Sequence, residues 1–76
     1  MYEIETVDIR DNLRKIIVER GYKQAVIARK AELTPAQLNA VLNLDRKLDV
    51  NELLAICNVM VIRPEEVFYY GAAGGV

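Results

Sequence analysis

The chain has 76 residues, of which 53% are apolar and 28% charged, and its formal net charge is −1. That length supports one small core and not two, and so apolar a composition excludes a disordered chain. With no histidine and a single cysteine, Cys57, there is no intramolecular disulfide, metal set or paired nucleophile to find, so no catalysis, cofactor or metal is expected.

The opening "MYEIETVDIRDN" is acidic where a secretory signal would be basic and then apolar. The longest uncharged run, Leu33 to Leu44, is broken by Gln37, Asn39 and Asn43 and falls short of the roughly 18 residues of a membrane span. The expectation is a cytoplasmic protein with no membrane association and no evident small-molecule ligand. "MYEIETV" alternates like a short strand but has nothing to pair with unless another chain supplies it.

Asp8 as N-cap and Asp11 in the first turn open a helix over 9–20, whose Ile9, Leu13, Ile16 and Ile17 recur at helical spacing and which Gly21 closes. A short second helix spans 24–31 with Val26, Ile27 and Ala28 inward. Thr34, Pro35 and Gln37 then give a hydroxyl cap, a proline at the first helical position and a capping-box glutamine, starting a third helix over 35–43. Asp49 and Glu52 cap a fourth helix ending near Met60, with Leu53, Leu54, Ile56, Cys57 and Met60 as its apolar stripe. Cys57 reads as a small buried hydrophobe. Pro64, Glu65 and Glu66 start a fifth helix with Val67 and Phe68 inward. One all-α domain over 1–70 is expected, followed by a flexible C-terminal tail at 71–76.

The third helix raises the functional question. Leu38, Val41 and Leu42 share one face, and opposite them lie Ala36, Gln37, Asn39, Ala40 and Asn43, with no charge among them. A merely solvated face would carry Lys and Glu, because Asn is a poor helix former. Amides that pair with base edges and methyls that rest on thymine give such a face a use in the major groove of DNA. A plain polar surface is the competing reading.

Two helices joined by the short link "AEL" have the layout of a helix-turn-helix. At this point the chain resembles the Cro and phage-repressor family, the lambda repressor-like DNA-binding domains. The stretch "NLRKIIVERGYKQAVIARKAELT" resembles the family's first two helices and turn, with Gln24 at the glutamine that opens helix two and Ala28 at the small residue packed on helix three. "LLAICNVMVIRPEEVF" resembles its fourth helix and the cap of its fifth. The resemblance implies a five-helix, sequence-specific DNA-binding transcriptional regulator of phage or mobile-element origin, reading double-stranded DNA with helix 35–43. Three glycines usual in the family's turns are absent: Glu32, Leu44 and Val61 stand in their places, and Leu42 replaces a common glutamate. Since L-residues avoid positive φ, these turns are expected to differ locally, and apolar replacements there suggest a partner surface.

Charge is uneven. Residues 20–47 carry six basic and two acidic groups, +4, while both flanks are acidic. Lys23, Gln24, Thr34, Arg46 and Lys47 are the expected backbone contacts, the first three at helix starts and the last two just after the recognition helix. Val67, Phe68, Tyr69 and Tyr70 are consecutive, so one domain cannot bury them all, and Phe68, Tyr69 and Tyr70 are the expected homodimer interface, with Leu44 or Val61 as additional contacts. The rival reading is a protein-interaction module of the same fold, such as an anti-repressor or antitoxin subunit, favoured by the acidic total, Glu32, Leu44 and Leu48.

Overall fold

A computed structural model describes residues 8–70, so the strand-like stretch at 1–7 and the expected tail at 71–76 lie outside the described residues. Five helices follow one another: α1 (Ile9–Glu19), α2 (Gln24–Lys30), α3 (Pro35–Leu42), α4 (Val50–Met60) and α5 (Pro64–Phe68). Among the described residues there is no strand. No helix is long and apolar enough to cross a membrane among these residues.

Four of the five helices start where a side chain accepts from a backbone amide; α2, which begins after Lys23, has no side-chain cap. The Asp8 carboxylate accepts from the Arg10 N–H at 3.0 Å, and Thr34 with Gln37 and Asp49 with Glu52 form reciprocal capping boxes. At α5 Glu66 reaches back to accept the Arg63 N–H at 2.8 Å.

The helix ends correct the sequence reading. Gly21 has φ of 70°, and Glu32, Leu44 and Val61 take φ of 63°, 66° and 57°. All four turns close with the same pair of bonds: Tyr22 N–H to Ile17 and Gly21 to Val18, Leu33 to Ala28 and Glu32 to Arg29, Asp45 to Ala40 and Leu44 to Val41, Ile62 to Cys57 and Val61 to Asn58. This is the Schellman ending, which fits glycine best. The three expected departures are therefore absent: the turns keep their left-handed geometry, and the side chains are strained into it. The reason is that the carbonyls of α2, α3 and α4 need those closing bonds more than the residues need relaxed backbones.

The core gathers Leu13, Ile16 and Ile17 from α1, Ile27 and Ala28 from α2, Leu38, Val41 and Leu42 from α3, Leu53, Ile56, Cys57 and Met60 from α4, with Ile62 and Val67. α2 packs on α3 and α4, α1 on α3 and α5. Burial pushes the Cys57 thiol's ionisation upward. Leu54 and Phe68, expected inward, are exposed: each follows a buried residue, Leu53 or Val67, and the turn of about 100° per residue carries it off the buried face. Val26 is half-buried, and Ala31 belongs to the turn rather than to α2. Leu42, where the family's glutamate is usual, lies in the core rather than on a partner surface, and Leu48 packs partly against that core. The one buried polar side chain among the described residues, Asn12, donates from Nδ2 to the Val67 carbonyl at 2.9 Å, joining α1 to α5.

Candidate nucleic-acid interface

The α2–turn–α3 unit is fixed from beneath. Fully buried Ala28 offers no bulk where α2 meets α3, and the Leu33 N–H closes the turn onto its carbonyl at 2.8 Å. With Leu38, Val41 and Leu42 held in the core, the opposite face of α3 is turned outward: Ala36, Gln37, Asn39 and Asn43 are exposed and Ala40 half-exposed. The expected row is thus assembled on one side, and α3 itself contributes no charge to it.

Two of its amides are already held. The Gln37 carbonyl oxygen accepts the Thr34 N–H at 2.9 Å while the Thr34 hydroxyl oxygen accepts the Gln37 N–H at 3.0 Å. The Asn39 carbonyl oxygen accepts from Gln24 Nε2 at 3.3 Å, across from α2. Gln24 therefore orients Asn39 as well as standing at the start of α2. Both amide NH2 groups make no hydrogen bond among the described residues and stay available as donors, and each carbonyl oxygen keeps one lone pair. Acceptors on base edges, such as guanine O6 and N7 or thymine O4, suit these donors best.

The six cations of residues 20–47 divide into two groups. Lys23, Arg29, Lys30 and Lys47 are exposed and make no ion pair among the described residues. Arg20 pairs with Glu66 at 3.2 Å, and Arg46 forks onto Glu52 at 3.1 and 2.9 Å. The Arg46 contact raises its own pKa and holds the Glu52 carboxyl below its ordinary value. A phosphate contact by Arg46, expected from the sequence, would compete with this pair or use the N–H donors that it leaves over. Its guanidinium is committed to the capping glutamate of α4, six residues on, because a bidentate carboxylate within reach outcompetes water. Lys47 remains the accessible cation of that segment. Among the described residues the Thr34 hydroxyl oxygen only accepts, which leaves its proton available to a phosphate-like acceptor.

Sequence reasoning missed three contributors: Arg10, whose Nη1 donates to the Arg46 carbonyl at 2.9 Å, Glu52 as the partner of Arg46, and the Gln24–Asn39 bond. The signals for Glu52 were in its capping box, but the long Arg10 contact, spanning 36 positions, had none.

On α5, Phe68 and Tyr69 are 43% and 63% exposed. Tyr70 instead packs against its own core and donates its hydroxyl to the Glu19 carboxylate, which withdraws it from the expected dimer surface. A cleft of about 470 Å³ between α1 and α5, lined by Arg20, Arg63, Tyr69 and Tyr70 among others, shares no residue with the α2–α3 face.

A family model for the Cro/C1-type HTH DNA-binding domain matches residues 12–72, most of the chain. No curated protein and no solved structure matches it.

Proposed function

The chain belongs to the Cro/C1-type helix-turn-helix DNA-binding family, and on that premise we propose that it is a sequence-specific transcriptional regulator of phage or mobile-element type, acting in the cytoplasm on double-stranded DNA. The observation that carries the proposal is the uncharged outer row of α3, with its donors at Gln37 and Asn39 exposed and its opposite row locked in the core. Small residues at Ala36 and Ala40 let α3 sink into the major groove, and Asn43 extends the row at its C-terminal end. Lys23, Gln24, Thr34 and Lys47 hold the phosphates around it. The role is binding and not catalysis: the one thiol is buried and hard to ionise.

The regulator acts as a homodimer through exposed Phe68 and Tyr69, so that two α3 helices meet half-sites one DNA turn, about 34 Å, apart. A second reading, a protein-interaction module of the same fold, is favoured by the exposed apolar Leu44 and Val61 at strained positions where glycine would sit more easily.

Selection of bound duplexes from a random pool, followed by binding of Gln37→Ala and Asn39→Ala to the selected and a scrambled duplex, tests the first reading. Each substitution is expected to cost about 1–3 kcal/mol on the selected site and to relax preference at one or two positions. If both variants keep the parent's ratio between the two duplexes, α3 does not read bases. If the parent fails to shift any duplex at low salt, where phosphate contacts are strongest, the second reading stands.

A further inference from the structure

Arg10, on the first turn of α1, has all three guanidinium nitrogens engaged. Nε and Nη2 donate to the two carboxylate oxygens of Asp8 at 3.0 and 2.7 Å, and Nη1 donates to the Arg46 backbone carbonyl at 2.9 Å. Asp8 is the N-cap of α1. Arg46 in turn forks onto Glu52, which closes the capping box of α4 with Asp49. One string of hydrogen bonds therefore runs from the cap of α1, through the segment leaving α3, to the cap of α4.

The segment needs such support. Asp45 is the last residue tied back to α3, by its N–H to Ala40, and Asp49 the first tied to α4, by its N–H to Glu52. Over 46–48 between them the backbone makes a single hydrogen bond among the described residues, the one from Arg10. Lys47 lies in the middle of this stretch, exposed and without an ion-pair partner among the described residues.

We propose that Arg10 is a positioning residue for DNA binding: its fork on Asp8 aims Nη1 at the Arg46 carbonyl, and that bond holds 46–48 in the shape that presents Lys47 to a phosphate. The proposal rests on the DNA-binding reading above. Arg10 itself does not touch DNA. A lysine cannot replace it, because a single ammonium lacks the planar fork that grips Asp8 and the carbonyl at once. Without the bond the segment orders only on binding, and affinity falls by that ordering cost for every sequence alike.

The test combines Arg10→Lys, Lys47→Ala and the double variant. Binding to a selected and a scrambled duplex is measured across a salt series, with backbone 15N relaxation of the free proteins and an unfolding curve for each to confirm that it is folded. Arg10→Lys is expected to bind both duplexes about fivefold more weakly, the scale of one hydrogen bond, with an unchanged salt slope. Its backbone order parameters at 46–48 fall in the free protein. Lys47→Ala lowers the slope by about one unit, and adding Arg10→Lys to it costs little more, since the group being positioned is gone. Parental affinity for Arg10→Lys, a slope lowered by about one in that variant, or the same fivefold loss in the Lys47→Ala background each overturns the proposal while leaving the functional reading intact. A parent that binds no duplex overturns both.

Discussion

Replacing Val61 by glycine should make this domain more stable, although it deletes an apolar side chain. Val61 sits at φ 57° and ψ 46° at the end of α4 with 88% of its surface in solvent. The left-handed conformation costs an L-residue about 1–2 kcal/mol, and a β-branched one lies at the upper end. Glycine removes that strain and returns about 0.5–1 kcal/mol through the greater freedom of the unfolded chain. So little of Val61 is buried that the lost packing is minor, and the closing bonds from the Val61 and Ile62 amides survive. The net expectation is a gain of about 1 kcal/mol, equivalent to about 4–8 °C in Tm for a domain of this size. Circular dichroism of parent, Val61→Gly and Val61→Ala during thermal and urea unfolding measures it. Alanine relieves the β-branch and keeps the Cβ, so it should fall between the other two. A glycine variant that unfolds at or below the parent's midpoint would refute the assignment of strain to this residue.

Other expectations follow from the same geometry. Lys23→Ala and Lys47→Ala should each weaken binding to all duplexes and lower the salt slope by about one unit, whereas Arg46→Ala should leave the slope nearly unchanged and lower the unfolding midpoint instead. Glu52 has its carboxyl pKa lowered in the folded state by the Arg46 bond, so its contribution is complete at neutral pH and disappears as pH falls from the ordinary value of 4.5 through the lower folded one. The stability difference between parent and Glu52→Gln, followed by urea titration against pH, should shrink across that window; a difference that grows there contradicts the sign. Sedimentation should show the parent dimerising at tens of micromolar, or at lower concentration on DNA, and a Phe68→Ala, Tyr69→Ala double variant should stay monomeric. A parent that remains monomeric under both conditions removes the α5 interface.

What was legible in the sequence was whatever local chemistry determines. Thr34, Pro35 and Gln37 announce the start of α3, and Asp49 with Glu52 that of α4, because a cap works within one turn. The outer row of α3 followed from periodicity alone. The helix ends misled in the opposite direction. Intrinsic preference at Glu32, Leu44 and Val61 argued for altered turns, but preference at one residue is outweighed by two closing bonds and the packing of the helix behind it. The Arg46–Glu52 pair was not legible, because a cation near a recognition helix looks the same in sequence whether or not a carboxylate six residues away holds it. Phe68 was placed inward and found exposed because α5 is five residues long, too short for periodicity to separate its faces.

The bond between Asn12 and the Val67 carbonyl spans 55 positions and bears on how the domain comes into being. During synthesis α1 leaves the ribosome first and α5 last, at about 5–20 residues per second. Until Val67 emerges, a nascent chain that has already gathered α1 to α4 must either keep the Asn12 amide wet or enclose it without a partner, which costs about 1–3 kcal/mol. An unfinished chain is therefore penalised for closing early. Sealing of the interior between α1 and α5 is thus favoured only once Val67 is free to accept that bond, and a chain halted upstream of it is expected to be cleaved by proteases faster than the finished one.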